Sequence, residues 1–443
     1  MNFNTFTKST GLFAVFLFSA LFTISKAQEL EISGELRVRP ELNHGLGNIP
    51  VEQDEAIFYT GQRTRLNISF AEDKLSSYLS LHDVRLWGSE NVISGTGIWA
   101  DDSGLDIHQA WAQYQFTPEF ALKAGRQEFK YDDQRFLSWR NWNNYGLTYD
   151  ALLFKYEESA WKAHLGLSYH SKANPTFGDN SYYADGKRFR SFHFLYLNRA
   201  FNDQFEASAK VFMSGKENVN NQNETHQRFT YGLFAKYTPG PLNVEGNLFF
   251  QSGEDARSRD VSAYMGTLTA TYKLDKLALT AGAVYLSGDD PGNDDYGEKD
   301  RTFDLLYGTR HAYYGWLNHF NVVESSTNSA GLINVFPSIS YSISPKSTFK
   351  VFQHFFLLAN DANAVNPQTN VPFVIEDRFL GSETDASVSY AFSDTFKLTV
   401  GMSYFWHTES MEQLRDIPAG DADSTYWGWV MMQFNPVFFS QSM

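Results

Sequence analysis

The sequence predicts an all-β fold, a transmembrane antiparallel up-and-down β-barrel of about eighteen strands. Three observations carry this. After residue 28 the chain falls into about eighteen runs of roughly ten to fourteen residues, most runs alternate apolar with polar residues, and the joins are alternately very short and much longer. A strand tilted across a bilayer takes about 9–11 residues, and membrane barrels have short periplasmic turns and long outer loops.

The alternation starts at once. Leu30, Ile32, Leu36 and Val38 alternate with Glu31, Ser33, Glu35, Arg37 and Arg39, giving one oily face and one charged face. Trp161, Ala163, Leu165, Leu167 and Tyr169 alternate in the same way with Lys162, His164, Ser168 and His170, and Phe205, Ala207, Ala209, Val211 and Met213 with Gln204, Glu206, Ser208 and Lys210. The pattern recurs at residues 229–237 and 396–406, and several runs end in Tyr or Trp, which suits aromatic girdles at the two interfaces. Leu75–Leu86 and residues 189–199 are ambiguous in phase, so the strand count carries a margin of about two.

Short joins fall at 71–74, 117–118, 157–159, 200–203, 238–240, 273–275, 343–345 and 393–394, each rich in residues that make tight turns. Nine longer polar stretches lie between them, the largest at 40–59, 288–330 and 358–380. Nine long and eight short joins place both strand ends of the barrel in the periplasm. The composition hides the membrane signal. Only 42% of residues are hydrophobic, so apolar runs of about twenty residues are missing after the first segment. Cysteine is absent, which leaves neither a disulfide framework nor a thiolate site. No Pro/Ser-rich linker interrupts the repeat, so residues 28–443 read as one barrel domain.

The one long apolar stretch comes first. Lys8 precedes residues 11–24, and Ser25-Lys26-Ala27 makes a small-x-small cleavage site, so residues 1–27 read as a secretory signal peptide. This places the mature chain in the outer membrane of a Gram-negative bacterium, in contact with outer-membrane lipid. Removal of Lys8 and Lys26 takes the formal charge from −15 to −17.

The charge is unevenly spread. Asp289, Asp290, Asp294, Asp295, Glu298, Asp300 and Asp304 crowd one loop, while Arg37, Arg39, Arg63 and Arg65 occupy strand positions opposite the oily face. Arg85, Arg126, Lys162, Lys210, Arg228, Lys236 and Lys397 are further candidates for the lumen. A barrel of eighteen strands has an aqueous interior, and rings of Arg and Lys favour passage of anions. Arg suits this because its planar fork holds a carboxylate bidentately. The competing reading is that these cations pair with Glu31, Glu35, Asp83, Glu128, Glu206 and Glu245 and knit the wall.

Several segments resemble the alginate-export family of outer-membrane barrels: Gly61-Gln-Arg-Thr-Arg-Leu66, His82-Asp-Val-Arg-Leu-Trp-Gly88 and Ile107-His-Gln-Ala-Trp111. They are followed by Lys123-Ala-Gly-Arg-Gln-Glu128, Tyr131-Asp-Asp-Gln-Arg135, Asn141-Trp142 and Tyr149-Asp150-Ala151, then by Leu306-Tyr307-Gly308-Thr309, Tyr314-Gly315 and Tyr426-Trp-Gly-Trp429. The resemblance implies an eighteen-stranded porin with an arginine-rich lumen that passes an anionic polysaccharide such as a polyuronate. There are departures: Leu147 where an Arg is expected, Asn318 where an Asp is usual, and Ser440-Gln-Ser-Met443 beyond the aromatic pair Phe438-Phe439. These bear on the cargo more than on the fold.

Residues 125–150 are the expected constriction. Arg126, Glu128, Asp132, Asp133 and Arg135 change sign within ten residues, and Trp139, Trp142 and Tyr145 add flat faces that stack on sugar rings or guanidinium groups. A salt-bridged loop folded against the wall explains the same residues. An enzyme is disfavoured because the eleven histidines form no recognisable constellation with Ser and acid. No cofactor or metal is expected: the acidic run from Asp289 lacks the EF-hand order. Nucleic acid is disfavoured as a partner by the absence of a basic surface run, and energy-coupled uptake by the lack of an N-terminal plug domain and a length too short for twenty-two strands. The expected function is passive passage of an anionic carbohydrate, with a nonspecific porin for small anions as the alternative. Periplasmic export or uptake partners are left open.

Overall fold

A computed structural model describes residues 28–88, 92–93, 99–100, 105–170, 189–221 and 224–442. The segment read as a signal peptide lies outside the described residues. Among those described, the main sheet is a closed barrel of eighteen strands. They are β1 (Gln28–His44), β2 (Ile57–Glu72), β3 (Leu75–Leu86), β4 (Leu105–Gln115), β5 (Phe120–Gln127) and β6 (Tyr149–Glu158). Then come β7 (Trp161–Tyr169), β8 (Ser191–Asn202), β9 (Phe205–Glu217), β10 (Thr225–Tyr237), β11 (Leu242–Gly253) and β12 (Ala263–Leu274). The last are β13 (Leu277–Leu286), β14 (Leu332–Ser344), β15 (Ser347–Leu358), β16 (Phe379–Ala391), β17 (Phe396–His407) and β18, which runs Thr425–Phe434 and resumes after Asn435-Pro436 as Val437–Ser442.

Each strand pairs antiparallel with its neighbours in sequence. β18 closes the ring on β1, with Leu36 opposite Phe434 and Glu29 opposite Ser442. Pro436 has no N–H to give a ladder, and its place at the break in β18 is where a strand tolerates it. Closure matters because lipid offers no hydrogen bonds, so every strand group must be satisfied within the barrel.

The eight short turns fall where the turn chemistry places them. They lie at the same end as Gln28 and Ser442, the end that faces the periplasm in barrels of this kind. Apolar side chains in the expected phase form the outer belt: Leu66, Leu165, Val211, Leu233, Val400 and Met402 are all exposed. Tyr156, Trp161, Tyr237, Tyr272, Tyr341 and Tyr390 crowd the short-turn end of that belt, and Tyr169, Phe229, Tyr264 and Trp406 the other, so both girdles are present.

The two strands of ambiguous phase now have one. In β3, Tyr78, Ser80, His82 and Val84 face inward. In β8, Phe192, Phe194 and Tyr196 face inward and are buried, while Leu195 and Leu197 face lipid. Apolar residues on both faces of β8 blurred the alternation because part of the lumen is dry.

That dryness corrects the expectation of a wholly aqueous interior. The third long loop (128–148) and the seventh (287–331) fold into the barrel. Phe136 and Leu137 from the third, Phe303, Leu306 and Phe320 from the seventh, and Met411 and Leu414 from the ninth join one buried cluster. Wall residues Phe212, Phe249, Phe356 and Phe405 belong to the same cluster. Ring centroids stand 4.3 Å apart in Phe136–Phe249 and 4.5 Å in Phe320–Phe356, contacts worth about 0.5–1.5 kcal/mol each beyond the area they bury.

A closed barrel of this kind is expected to need detergent for extraction and to migrate faster on a gel unboiled than boiled. Identical migration before and after boiling would rule out the closed ring.

Candidate functional site

The period-2 geometry of β1 and β2 places Glu35, Arg37, Arg39, Glu41, Arg63 and Arg65 on one inner face. Arg37 stands directly opposite Arg63, an arrangement of like charges that is unfavourable unless something offsets it. The third loop does so with its carbonyls. Arg37 donates to the Asn141 carbonyl at 2.6 Å and to Asn144 Oδ1 at 2.6 Å. Arg63 donates to the carbonyls of Asn141 (3.2 Å) and Asn143 (3.1 Å) and pairs with Glu35. Arg39 reaches the Trp142 carbonyl at 3.1 Å and Glu41 at 2.7 Å. Arg65 donates to Asn141 Oδ1 and to the Tyr145 carbonyl, both at 3.3 Å. Four strand arginines thus grip one stretch of loop.

The far end of the third loop is tied to the opposite wall. Asp132 accepts from Tyr196 (2.9 Å) and Ser208 (2.5 Å) and pairs with Lys210. Asp133 accepts from Asn247 at 2.7 Å and from Arg135 at 2.9 Å, and the Arg135 guanidinium lies 3.6 Å from the centre of the Tyr313 ring.

The seventh loop is held by the converse chemistry. Asp385 accepts the Trp316 amide at 3.2 Å and Glu383 accepts the Leu317 amide at 2.8 Å. The two loops meet where the Tyr307 amide donates to the Phe136 carbonyl and the Thr309 amide to the Gln134 carbonyl. Glycine is required at this meeting: a Cβ on Gly308 would stand 1.7 Å from the Arg135 carbonyl oxygen. The acidic run of the same loop turns to cations instead of clustering, with Arg301 pairing Asp289 at 3.0 Å and Asp295 at 2.6 Å. Burial pushes the Asp304 carboxyl up, but Lys216, Arg228 and Arg310 outweigh it and hold it below the ordinary range.

Between this packed region and the wall of β1 to β7 lies a cavity of about 600 Å³. Arg65, Lys123, Lys130 and Lys155 line it, against Glu35 and Glu128, so basic side chains outnumber acidic ones. Two of the cations stand on aromatic faces: Lys123 Nζ lies 3.7 Å from the centre of the Trp111 ring and Lys130 Nζ 3.3 Å from that of Trp139. Glu128 accepts from His108 Nε2 at 3.0 Å and from Lys130 at 3.2 Å. A bulge in β4 supplies His108: Ser80 pairs with Gln109 and Leu81 with Ile107, so the extra residue His108 turns inward beside Gln109.

Of the residues singled out in the sequence, Arg65 and Glu128 line this cavity, Arg37, Arg39 and Arg63 hold the third loop, and Asp132, Asp133 and Arg135 anchor its other end. Trp142 is sandwiched, with the Arg39 guanidinium 4.7 Å from its centre and His311 stacked at 4.6 Å. Burial lowers the His311 pKa to about 3, so it packs there as a neutral ring.

Arg85 and Arg126 are corrections, because neither enters the lumen. Arg85 is paired across the sheet with Gln62 and bonds Asp83 at 2.6 Å on the outer side, since the inward residues of β3 are the even-numbered ones. Arg126 is in phase with Leu122 and Ala124 and binds Asp150 through two bonds of 2.9 and 3.0 Å on the outer side of β5. Alternation read outward from Tyr149 and Ala151 marks Lys155 as inward, and Lys123 follows from Ala121 and Gln127.

The sequence matches a family described as alginate export over residues 71–416. No match to a curated protein is found. In fold the chain is similar to OccAB4 of Acinetobacter baumannii, with a TM-score of 0.59 at 11% identity over 94% of this chain and 99% of that one. OccK8 (OprE) of Pseudomonas aeruginosa gives 0.58 at 12% over 93% and 98%. OpdK of Pseudomonas aeruginosa, solved with vanillate, gives 0.55 at 9% over 93% and 99%. At such identities the likeness is one of fold, that of outer-membrane porins.

Replacing Arg63 with Gln strands the Glu35 carboxylate and removes a donor from two carbonyls. Breaking a buried pair of this kind costs about 3–5 kcal/mol. The Arg63→Gln barrel is expected to stay closed while its third loop becomes cleavable by protease, whereas Arg85→Gln leaves the loop resistant. Equal resistance in Arg63→Gln and the parent would show that the arginines do not hold the loop.

Proposed function

We propose, from the premise that this chain belongs to the alginate-export family, that the outer-membrane channel it forms passes an anionic carbohydrate, a polyuronate such as alginate or its oligomers, by passive diffusion. The observation that carries this reading is the cavity in which Arg65, Lys123, Lys130 and Lys155 meet the faces of Trp111 and Trp139. A uronate offers a carboxylate to the cations and a ring of C–H groups to the aromatic faces. An aromatic face positions a cation without neutralising it, so Lys123, which the Trp111 ring holds, keeps its charge for a passing anion, while Lys130 is shared between the Trp139 ring and Glu128.

Conduction needs binding that is strong enough to admit the cargo and weak enough to release it. The lysines that line the cavity meet that need better than the locked guanidinium groups of Arg37 and Arg63. The volume of about 600 Å³ suits a sugar unit or two. It also fits small organic anions, so a porin for small anionic solutes is the second reading. The fold and family are those of a channel, and removal of residues 1–27 on export completes the proposal.

Outer-loop carboxylates are screened over a Debye length of about 8–10 Å, so the cations of the cavity should decide selectivity. Reversal potentials in a potassium chloride gradient are expected to show anion preference, and clear cation preference would sink the reading. Uronate oligomers are expected to block the current in a concentration-dependent way, neutral oligomers of equal length much less. The double variant Lys123→Gln/Lys155→Gln should weaken that block by about tenfold or more, since hydrogen bonds to charged groups are worth about 1.5–3 kcal/mol. Equal block by acidic and neutral sugars would favour the nonspecific porin, and conversion of the oligomers to shorter products would point to an enzyme.

A further inference from the structure

Residues 139–143 of the third loop form a partition. Trp139 and Asn141 line the large cavity, while Arg140, Trp142 and Asn143 line a second, smaller pocket of about 40 Å³ shared with Thr309, Arg310, His311, Asn318 and Asn321 of the seventh loop. Arg140 holds a left-handed backbone, with φ of 44°, which costs a residue with a Cβ about 1–2 kcal/mol. Its side chain borders the smaller pocket, whereas those of Trp139 and Asn141 border the large cavity.

Two guanidinium groups from different loops therefore share one small pocket, and no carboxylate lines it. Arg140 uses Nε on the Gly308 carbonyl at 3.0 Å, and Arg310 uses Nη2 on the Leu306 carbonyl at 3.1 Å. The buried Arg310 Nε has no partner, and neither arginine forms an ion pair among the described residues. Their neighbours behave otherwise, since Arg135, Arg228, Arg259 and Arg301 each hold an acid. Asp304 lies within electrostatic range but is engaged by Lys216 at 3.5 Å and by the Leu306 amide at 2.8 Å. Burial, and then the neighbouring Arg310, lowers Arg140 to about 10, so it stays charged at neutral pH. His311 is neutral and adds no charge of its own.

We propose that the Arg140–Arg310 pocket is a second carboxylate-binding subsite, divided from the large cavity by one strip of chain, so that an acidic sugar meets two successive anion sites. This deepens the channel reading and rests on it. A pocket of about 40 Å³ is larger than the roughly 10–15 Å³ that one water needs, which leaves room for a carboxylate-sized group. Forked guanidinium donors match such a group, and the amide side chains of the pocket add donors that do not compete as anions. Two sites in series also provide the repeated, individually weak binding that lets one anion displace the next.

Calorimetry of the detergent-solubilised barrel with sodium glucuronate, and with glucose as the neutral control, tests this. The parent is expected to show two classes of glucuronate site and none of comparable strength for glucose. Arg310→Gln should lose one class, with affinity there falling about tenfold or more. Asn318→Asp should lose the same class by a different route: it keeps both arginines and suits the left-handed backbone at 318 (φ 63°), but places a carboxylate in the pocket. Faster migration of the unboiled variants reports that each is folded. Arg65→Gln should remove the other class instead. Two classes surviving in both Arg310→Gln and Asn318→Asp would overturn the subsite and leave the channel reading standing. Equal binding of glucuronate and glucose by the parent would overturn the acidic-cargo reading and the subsite together.

Discussion

Main-chain groups taken out of water must be given partners, and the interior of this barrel is organised by that requirement. Two outer loops enter the lumen and bring with them carbonyls and amides that no ladder satisfies. The wall answers with complementary polar groups. Arginines of β1 and β2 donate to the carbonyls of residues 141–145, and the acidic side chains of β16 accept the amides of Trp316 and Leu317. An orphaned buried group costs about 1–3 kcal/mol, so a loop left without these partners would not stay inside. One guanidinium has five donors and can serve several carbonyls at once, as Arg63 does.

Once pinned, the loops divide the lumen. On the side of β8 to β18 their aromatic residues pack on inward-facing wall residues and exclude water, as a domain core does. On the side of β1 to β7 they stop short, and the charged cavity remains. Holding the loop and lining the cavity thereby fall largely to different side chains. Arg37 and Arg63 are fully engaged with the loop, whereas Lys123, Lys130 and Lys155 keep an open face. A long-range argument from the acidic total would miss this, because what an ion feels inside a narrow passage is set by groups within a Debye length.

The division also accounts for what could be read from the sequence. The strand number, the eight short turns and the outer face of most strands were legible, because one residue of slip would send an entire oily face to the lumen. The Leu306-Tyr307-Gly308-Thr309 and Tyr314-Gly315 segments that carried the family resemblance are contact points of the seventh loop, where Gly308 admits the Arg135 carbonyl and Gly315 lies against Glu383. Phase failed at β8 because Phe192 and Phe194 face a dry interior and mimic a lipid face. The site was legible in part. Arg65 and Glu128 line the cavity, whereas Arg126, grouped with them by its charged neighbours in sequence, faces outward, where Asp150 across the sheet is its partner. Nothing local reveals that Arg37 and Arg63 serve a loop about eighty to one hundred residues away, since that contact exists only once the barrel has closed.

Arg65 is where the gripped loop and the cavity meet. It is the one of the four gripping arginines that lines the cavity, and it also donates to Asn141 Oδ1 and to the Tyr145 carbonyl, both at 3.3 Å. Arg37, Arg39 and Arg63 hold residues 141–144 without lining the cavity, so the loop does not depend on Arg65 alone. A guanidinium has five donors, and the two that Arg65 gives to the loop leave others for whatever faces it in the cavity. The same residue therefore belongs to the scaffold that shapes the passage and to the surface that the passage presents.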